Sequence, residues 1–253
     1  MKIKAVKTRK FIPPRDNLRE LLSYLPKLRE NVVVAAASKV VSIGEGRCVA
    51  ADKIKDKDQL IKSEAEKYLP REISPGGWVM HTFKNNLVMP SAGIDESNAA
   101  GHYILWPKNP AASAKKIWKH LRQIHKIKNL GVIITDSRST AFRRGIIGVS
   151  LAHWGFAPLR DYRKGQDIFG RPLKISQTNL ADSLAAAAVL AMGEGGEQTP
   201  LAVIENIPNI AFVSQTRLQN EADDGFEISP AEDIYSPFFS SVKWRRGGAK
   251  KSG

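Results

Sequence analysis

Two short stretches carry aspartates in settings that suit phosphate chemistry. "AGIDESN" places Asp95, Glu96, Ser97 and Asn98 in one oxygen-rich run, and "ITDSRSTAFRRG" sets Asp136 and Ser137 ahead of Arg143 and Arg144. Hard cations such as Mg2+ or Mn2+ are held by one or two carboxylates together with water and substrate phosphates, so two aspartates leaving separate strands would suit one. Arginines nearby would share the phosphate. Taken singly, each aspartate reads first as a turn-former. A third stretch, "NVVVAAASKVVSIGEGR", breaks an apolar run with the polar pair Ser38-Lys39. A charged pair there needs a reason.

Other chemistries lack their signatures. No G-x-x-x-x-G-K-[ST] loop occurs, and neither "GEGR" nor "GEGGEQ" stands between a strand and a helix as a dinucleotide loop requires. The five histidines show no H-E-x-x-H spacing, and no G-x-S-x-G points to a serine nucleophile. A lone Cys48 excludes a disulfide framework and a thiolate-rich zinc site, and makes a reducing compartment the default. Glu45, Asp161, Asp167 and Glu205 read as salt-bridge partners.

The elements that must position these residues follow from periodicity. After a short basic strand, Asp16 is expected to cap a helix carrying Leu18, Leu21, Leu22 and Leu25, ended by Pro26. The valine- and alanine-rich run after it reads as a buried strand kinked at Ser38-Lys39. "KDQLIKSEAEKYL" reads as an amphipathic helix through Tyr68 and Leu69, and Asn85-Asn86 as the turn of a hairpin. In "ASAKKIWKHLRQIHKI" the inner stripe is Ile117, Leu121 and Ile124. The strand before Asp136 is expected to end there, and "IIGVSLAHWGF" to form the next.

"RDYRKGQDIFGRPLKIS" reads as polar turns around a short strand. "QTNLADSLAAAAVLAMGEGG" reads as a helix terminated by Gly193, with "PLAVIENI" and "IAFVSQ" as late strands. No sustained βαβ rhythm runs through the chain, so the class is α+β.

At 253 residues with 42% apolar content the chain can bury a real core. A net charge of +14 invites polyanionic partners, among them nucleotides, acidic metabolites and nucleic acid. Residues 241–253 are basic and glycine-rich, and are expected to form a flexible tail. No apolar run is long enough to span a bilayer, and the expected location is cytoplasmic.

In order and spacing, "SKVVSIGEGR", "AGIDESN", "ITDSRSTAFRRG" and "RDYRKGQDIFGRPLKISQTNLADSLAAAAVLAMGEGG" resemble the coenzyme F420-0:L-glutamate ligase family of γ-glutamyl ligases over roughly residues 1–215. The resemblance implies an amide-forming enzyme joining L-glutamate to a carboxylate acceptor at the expense of GTP (or ATP), with Mg2+ or Mn2+ and help from K+. It implies a two-lobed α+β homodimer, its ligase domain spanning 1–240 with lobe boundaries near 75–90 and 195–200. Acceptors on this reading are coenzyme F420-0 or a folate or pterin glutamate.

Carried over by position, Asp95, Asp136 and Ser137 are the implied metal ligands. Ser38, Lys39, Arg143 and Arg144 are implied to bind nucleotide, with Lys39 and Arg143 catalytic. The chain departs from the family pattern at Ile43, at Ser139-Thr140 and after residue 215. A second reading, a basic nucleic-acid-binding protein on a ligase-derived fold, rests on the charge and on Trp244-Arg245-Arg246; no RRM, KH or helix-turn-helix signature supports it.

Overall fold

Strand β2 (Val32–Ala37) is apolar on both faces. Val32, Val34 and Ala36 enter one core and Val33 and Ala35 another, as a period of two dictates for a strand covered on both sides. The same alternation runs through β8 (Leu130–Ser139) and β12 (Leu201–Glu205), where Val132, Ile134 and Val203 face one way and Ile133, Ala202 and Ile204 the other. The computed structural model describes residues 1–213 and 226–249.

With β1 (Lys2–Val6) and β9 (Ile146–Trp154), these strands make a five-stranded sheet in the order β1-β12-β2-β8-β9. Only β2 and β8 pair in parallel within it. The class is therefore mixed α and β, as the sequence predicts.

A helix covers each face. Helix α4 (Pro110–His125) starts at Asn109, whose side chain accepts from Ala112 N at 2.9 Å, and it buries Ile117, Trp118 and Leu121. Ile124 leaves the expected stripe and is 58% exposed, because the helical turn points Trp118 inward in its place. Helix α5 (Leu180–Met192) packs Leu184, Ala185, Ala188 and Met192 on the opposite face and ends at Gly193. Its alanines let it lie close: a Cβ at Gly148 of β9 would stand 2.6 Å from Ala185 O and 2.7 Å from Val189 Cβ.

Between β2 and β8 the chain makes a long excursion. Helix α1 (Leu18–Ser23) precedes it, capped by Asn17 and not by Asp16, because the Arg9 guanidinium takes both Asp16 oxygens. The expected kink at Ser38-Lys39 is instead the first turn of helix α2 (Ser38–Gly44). The excursion then builds β3 (Cys48–Ala50), helix α3 (Lys57–Glu64), β4 (Lys67–Tyr68), the hairpin β5 (His81–Lys84) and β6 (Leu87–Pro90), and β7 (His102–Ile104). Asn85 and Asn86 supply the positive φ of the hairpin turn, as expected.

Helix α3 stops at Glu64, short of its expected end, because Lys67 and Tyr68 pair with Phe83 and Thr82. This insertion has its own core of Ile61, Ala65, Met80, Ala92, Ile94 and Leu105.

Further corrections concern the second half. Strand β8 does not stop at Asp136 but pairs with β9 through Ser139. The polar stretch after it is a loop flanked by two strands, β10 (Leu159–Asp161) and β11 (Gln177–Asn179), in place of turns flanking one. "IAFVSQ" contributes a single bridge, Phe212 to Phe156, and its last two residues lie outside the described ones.

Nor are residues 241–249 a loose end. After helix α6 (Ser236–Ser240), strand β13 (Arg245–Arg246) pairs with β4 and completes the four-stranded order β13-β4-β5-β6. Residues 250–253 lie outside the described residues.

Gly148→Ala is expected to cost about 1–3 kcal/mol by forcing α5 off the sheet, read as a lower urea midpoint at unchanged slope. A midpoint equal to that of the wild type would show that α5 does not press on β9 as described.

Candidate active site

The parallel pair ends in a cleft. Ser38 follows the last residue of β2, and Thr135, Asp136 and Ser137 lie on β8 where its pairing with β2 ends, and all four line a cavity of about 530 Å³. Lys39 and Ile43 of α2, Asp95 and Asn98 of the insertion, residues 8–13, and the Gly193–Pro200 loop after α5 complete its wall. A register shift between Ile134 and Thr135 lies just before Asp136, the kind of bulge that re-aims a side chain.

Asp136 is held by two donors. The Ser137 amide donates to its Oδ1 at 2.8 Å, and the indole N–H of Trp106 donates to Oδ2. Burial pushes this carboxyl up to about 7; the two donors oppose the rise, while the negative charges of Asp95 and Glu194 add to it. The residue keeps part of its surface exposed and lines the cleft.

Trp106 is fixed in turn. A Cβ at Gly93 would collide with its indole, and Gly93 has φ +69°, so the "AGID" glycine is required twice over. The Lys84 ammonium lies 5.3 Å from the indole centroid and Arg47 Nε donates to Trp106 O at 3.1 Å. Both cations bind the half-buried Glu64. Burial would raise Glu64, but Lys84 and Arg47 outweigh it and hold the carboxyl below its ordinary value. Lys84 bears the cost, since burial pushes its ammonium down in spite of Glu64.

Asp95 is answered by Lys39. The ammonium lies 2.7 Å from Asp95 Oδ2 and also donates to Ser97 O at 2.7 Å and Ser97 Oγ at 3.0 Å. Asp95 Oδ1 accepts from Ser97 N and Oγ at 2.7 and 2.8 Å. Burial would raise Asp95, yet Lys39 and the Ser97 donors overcome it and hold the carboxyl below the usual range. Glu96 turns away to Lys57 at 2.7 Å.

The structure therefore brings together Ser38, Lys39, Asp95, Asp136 and Ser137. It does not bring in Arg143 or Arg144. Both are exposed beside the tip of the β8–β9 hairpin, where continued pairing through Ser139 carries them beyond their own cleft.

Three features of the site carry little sequence signal. Ser137 Oγ donates to Glu194 Oε1 at 2.5 Å, bringing in a third carboxylate from the glycine-rich loop after α5. Trp106 has no sequence signal of its own. Residues 8–13 follow an ordinary edge strand, and only the basic pair Arg9-Lys10 hints at their place.

The oxygens of Asp95, Asp136, Ser137 and Glu194 form a donor set suited to a hard dication. Among the described residues, however, no group of three acidic, His or Cys side chains is close enough to share one ion as it stands. The Lys39 ammonium and the Trp106 N–H occupy the aspartates instead. Of the residues expected to be salt-bridged, Asp161 pairs with Arg163, while Glu45 accepts from Ser113 and Asp167 from loop amides. Among the described residues no helix is long and apolar enough to cross a membrane.

An α+β framework whose one parallel pair opens on a carboxylate-lined cleft defines the class. The chain belongs to the F420-0:Gamma-glutamyl ligase family, whose pattern it matches over residues 7–206. It is 34% identical over 224 residues to the coenzyme F420:L-glutamate ligase of Methanopyrus kandleri, covering 82% of this chain and 87% of that one. The enzyme of the same name from Methanococcus maripaludis is 36% identical over 207 residues, covering 76% and 82%, and that from Archaeoglobus fulgidus is 31% identical over 214, covering 79% and 85%.

Asp136 gives a pH signature. Its folded pKa of about 7 exceeds the unfolded value of roughly 3.9. The unfolded carboxyl ionises first as pH rises, so this group's contribution to stability is full below about pH 4 and is lost by about pH 7. In chelator-treated protein, Asp136→Asn is expected to melt progressively higher than wild type across that window, with a constant difference above it. A difference that does not vary with pH would contradict the assignment.

Proposed function

We propose that the protein is a γ-glutamyl ligase that joins the amine of L-glutamate to a carboxylate on a coenzyme F420-0-type acceptor, driven by GTP or ATP. The observation that carries this reading is the meeting of Asp95, Asp136, Glu194 and Lys39 in one cleft of a chain matched along most of its length to that family. In the proposed reaction an acceptor carboxylate oxygen attacks the terminal phosphorus and the nucleoside diphosphate leaves. The glutamate amine then attacks the acyl phosphate carbonyl, expelling phosphate and losing a proton.

The protein's part is to hold charge. Asp95, Asp136, Ser137 and Glu194 would hold Mg2+ or Mn2+, which lowers the negative charge that repels an attacking carboxylate. Lys39, on the flexible stem that a lysine provides, would exchange Asp95 for phosphate oxygens and stabilise charge on the transferred group. Trp106 keeps Asp136 oriented and shields it from water.

Arg143 enters through a homodimer in this reading. Phe142 is fully exposed at the hairpin tip, and Ile146 and Ile147 are about half exposed. Apolar side chains on a projecting tip call for cover. Seating that tip on a second copy would bury Phe142 and carry Arg143 to the partner's cleft.

Residues 244–246, on which the nucleic-acid reading rests along with the net charge, are built into the fold, and Trp244 Nε1 donates to Phe239 O at 2.9 Å.

The direct assay supplies GTP or ATP, Mn2+, K+, glutamate and either F420-0 or a folate glutamate, and weighs the product for an added glutamyl mass. Addition to F420-0 with nucleotide hydrolysis is expected; folded protein that adds glutamate to neither acceptor would refute the ligase reading. Asp136→Asn and Arg143→Ala are each expected to lose more than about 100-fold in turnover. Mixed and reassociated in equal amounts, they should recover about a quarter of wild-type activity, because only the hybrid dimer holds one intact site. No recovery from well-exchanged dimers would place Arg143 outside the partner's cleft.

A further inference from the structure

Beyond residue 206 the chain leaves the region matched by its family, yet residues 226–249 run on as one described segment that touches both bodies of the molecule. At its start Phe226 packs into the α5 side of the main sheet, with its ring 5.0 Å from that of His153 on β9. Two residues on, Ile228 O accepts from Asn86 Nδ2 at 2.8 Å, at the turn of the insertion's hairpin. At its end β13 pairs with β4, and Gly247 N donates to Glu66 O at 2.9 Å. Gly248 N donates to Lys62 O at 2.9 Å and Ala249 N to Ala65 O at 3.1 Å, which satisfies carbonyls left open by the last turn of α3.

The grip at that end is close. A Cβ at Gly247 would overlap the Ala65 carbonyl. Helix α3 is also the support of the Asp95 loop. Its Ile61 and the following Ala65 share a core with Ala92 and Ile94, and its Lys57 pairs with Glu96 at 2.7 Å.

We propose that residues 226–249 are a brace, fixed to the main sheet by Phe226 and to α3 by residues 247–249, that holds the Asp95 loop in place over the cleft that Asp136 lines. Phe226 and Gly247 are then positioning residues. The brace acts on the metal site of the proposed ligase and rests on that reading for its functional effect, though not for its mechanical one. A simple edge cover for β4 would leave the loop indifferent to what happens at Phe226, some twenty residues away along the strap.

The test uses the full chain in three forms: Phe226→Ala, which frees the main-sheet end; Gly247→Val, which frees the α3 end; and Asn86→Gly, which keeps the turn but removes its donor to Ile228. Hydrogen exchange is read peptide by peptide, and Mn2+ binding is measured by calorimetry without substrates. Freeing either end is expected to speed exchange across residues 91–98 on the order of tenfold while β2 and β8 stay protected. Mn2+ should bind several-fold more weakly, with a smaller effect from Asn86→Gly.

Faster exchange confined to residues 226–249, with 91–98 unchanged, would overturn the brace. So would equal loosening of β2 and β8, since that is plain destabilisation. If one substituted chain fails to fold, truncation after Val242 reads out the α3 end by the same exchange. Wild-type protein that binds no Mn2+ would refute the metal reading alone, and the exchange result would still decide the brace.

Discussion

Burying the Asp136 carboxyl beside two other carboxylates is the constraint on which the rest of this structure turns. Asp95, Asp136 and Glu194 approach one cleft from the insertion, the main sheet and the loop after α5, and the negative charges of Asp95 and Glu194 oppose the ionisation of Asp136. The protein resolves the conflict unequally. Asp95 is given a cation and two hydroxyl or amide donors and stays ionised at low cost, whereas Asp136 receives only neutral donors and is driven toward its protonated form. An added dication would therefore find one ligand already charged and one whose proton it must displace, which couples metal capture to pH.

That asymmetry explains much of the surrounding investment. Trp106 is the hinge between the two bodies: its indole serves Asp136 of the main sheet while its carbonyl and ring are held by Arg47 and Lys84. A buried lysine and arginine converging on Glu64 are a poor source of stability, since burial works against Lys84 even with its partner present. Their value lies in fixing a tryptophan that would otherwise have rotamers to choose from. Gly93 completes the arrangement by leaving room for the indole where any side chain would displace it.

How much of this was legible depended on whether the signal was local. The amphipathic helices, the Asn85-Asn86 turn and the β2, β8 and β12 runs were readable because apolar period and turn chemistry are carried by adjacent residues. Asp95, Asp136, Ser137, Ser38 and Lys39 are grouped only by the family resemblance, and all five line the one cavity.

Helix α2 was not readable, since Val40 and Val41 prefer strands and only tertiary contact turns them helical. Asn17 displaced Asp16 as a cap because Arg9, seven residues away, competes for the carboxylate. Glu194 escaped because "GEGGEQ" follows a helix, so a search for glycine loops between strand and helix passes it by. Residues 241–249 depart from a loose end for a related reason: Gly247 serves close approach to α3, and glycine composition alone cannot distinguish that from looseness.

The position of the cleft follows from topology. Parallel neighbours cannot be joined by a tight turn, so the chain from β2 to β8 must cross over, and here the crossover has been expanded into a body with its own core. The parallel pairing ends at Ala37 and Thr135, where Ser38 and Asp136 follow side by side, and ligand crevices in sheets of this kind lie outside such carboxyl ends. An excursion leaving that end can bring Asp95 back over it; one hung between the antiparallel strands β12 and β2 would have no shared end to cover. The two aspartates can thus lie 41 residues apart in the chain and still face one cavity. What the topology leaves free is the fine distance between the bodies, which is why contacts across their boundary, made by Trp106, Lys39 and the strap from Phe226 to Ala249, carry more of the site's geometry than either core does.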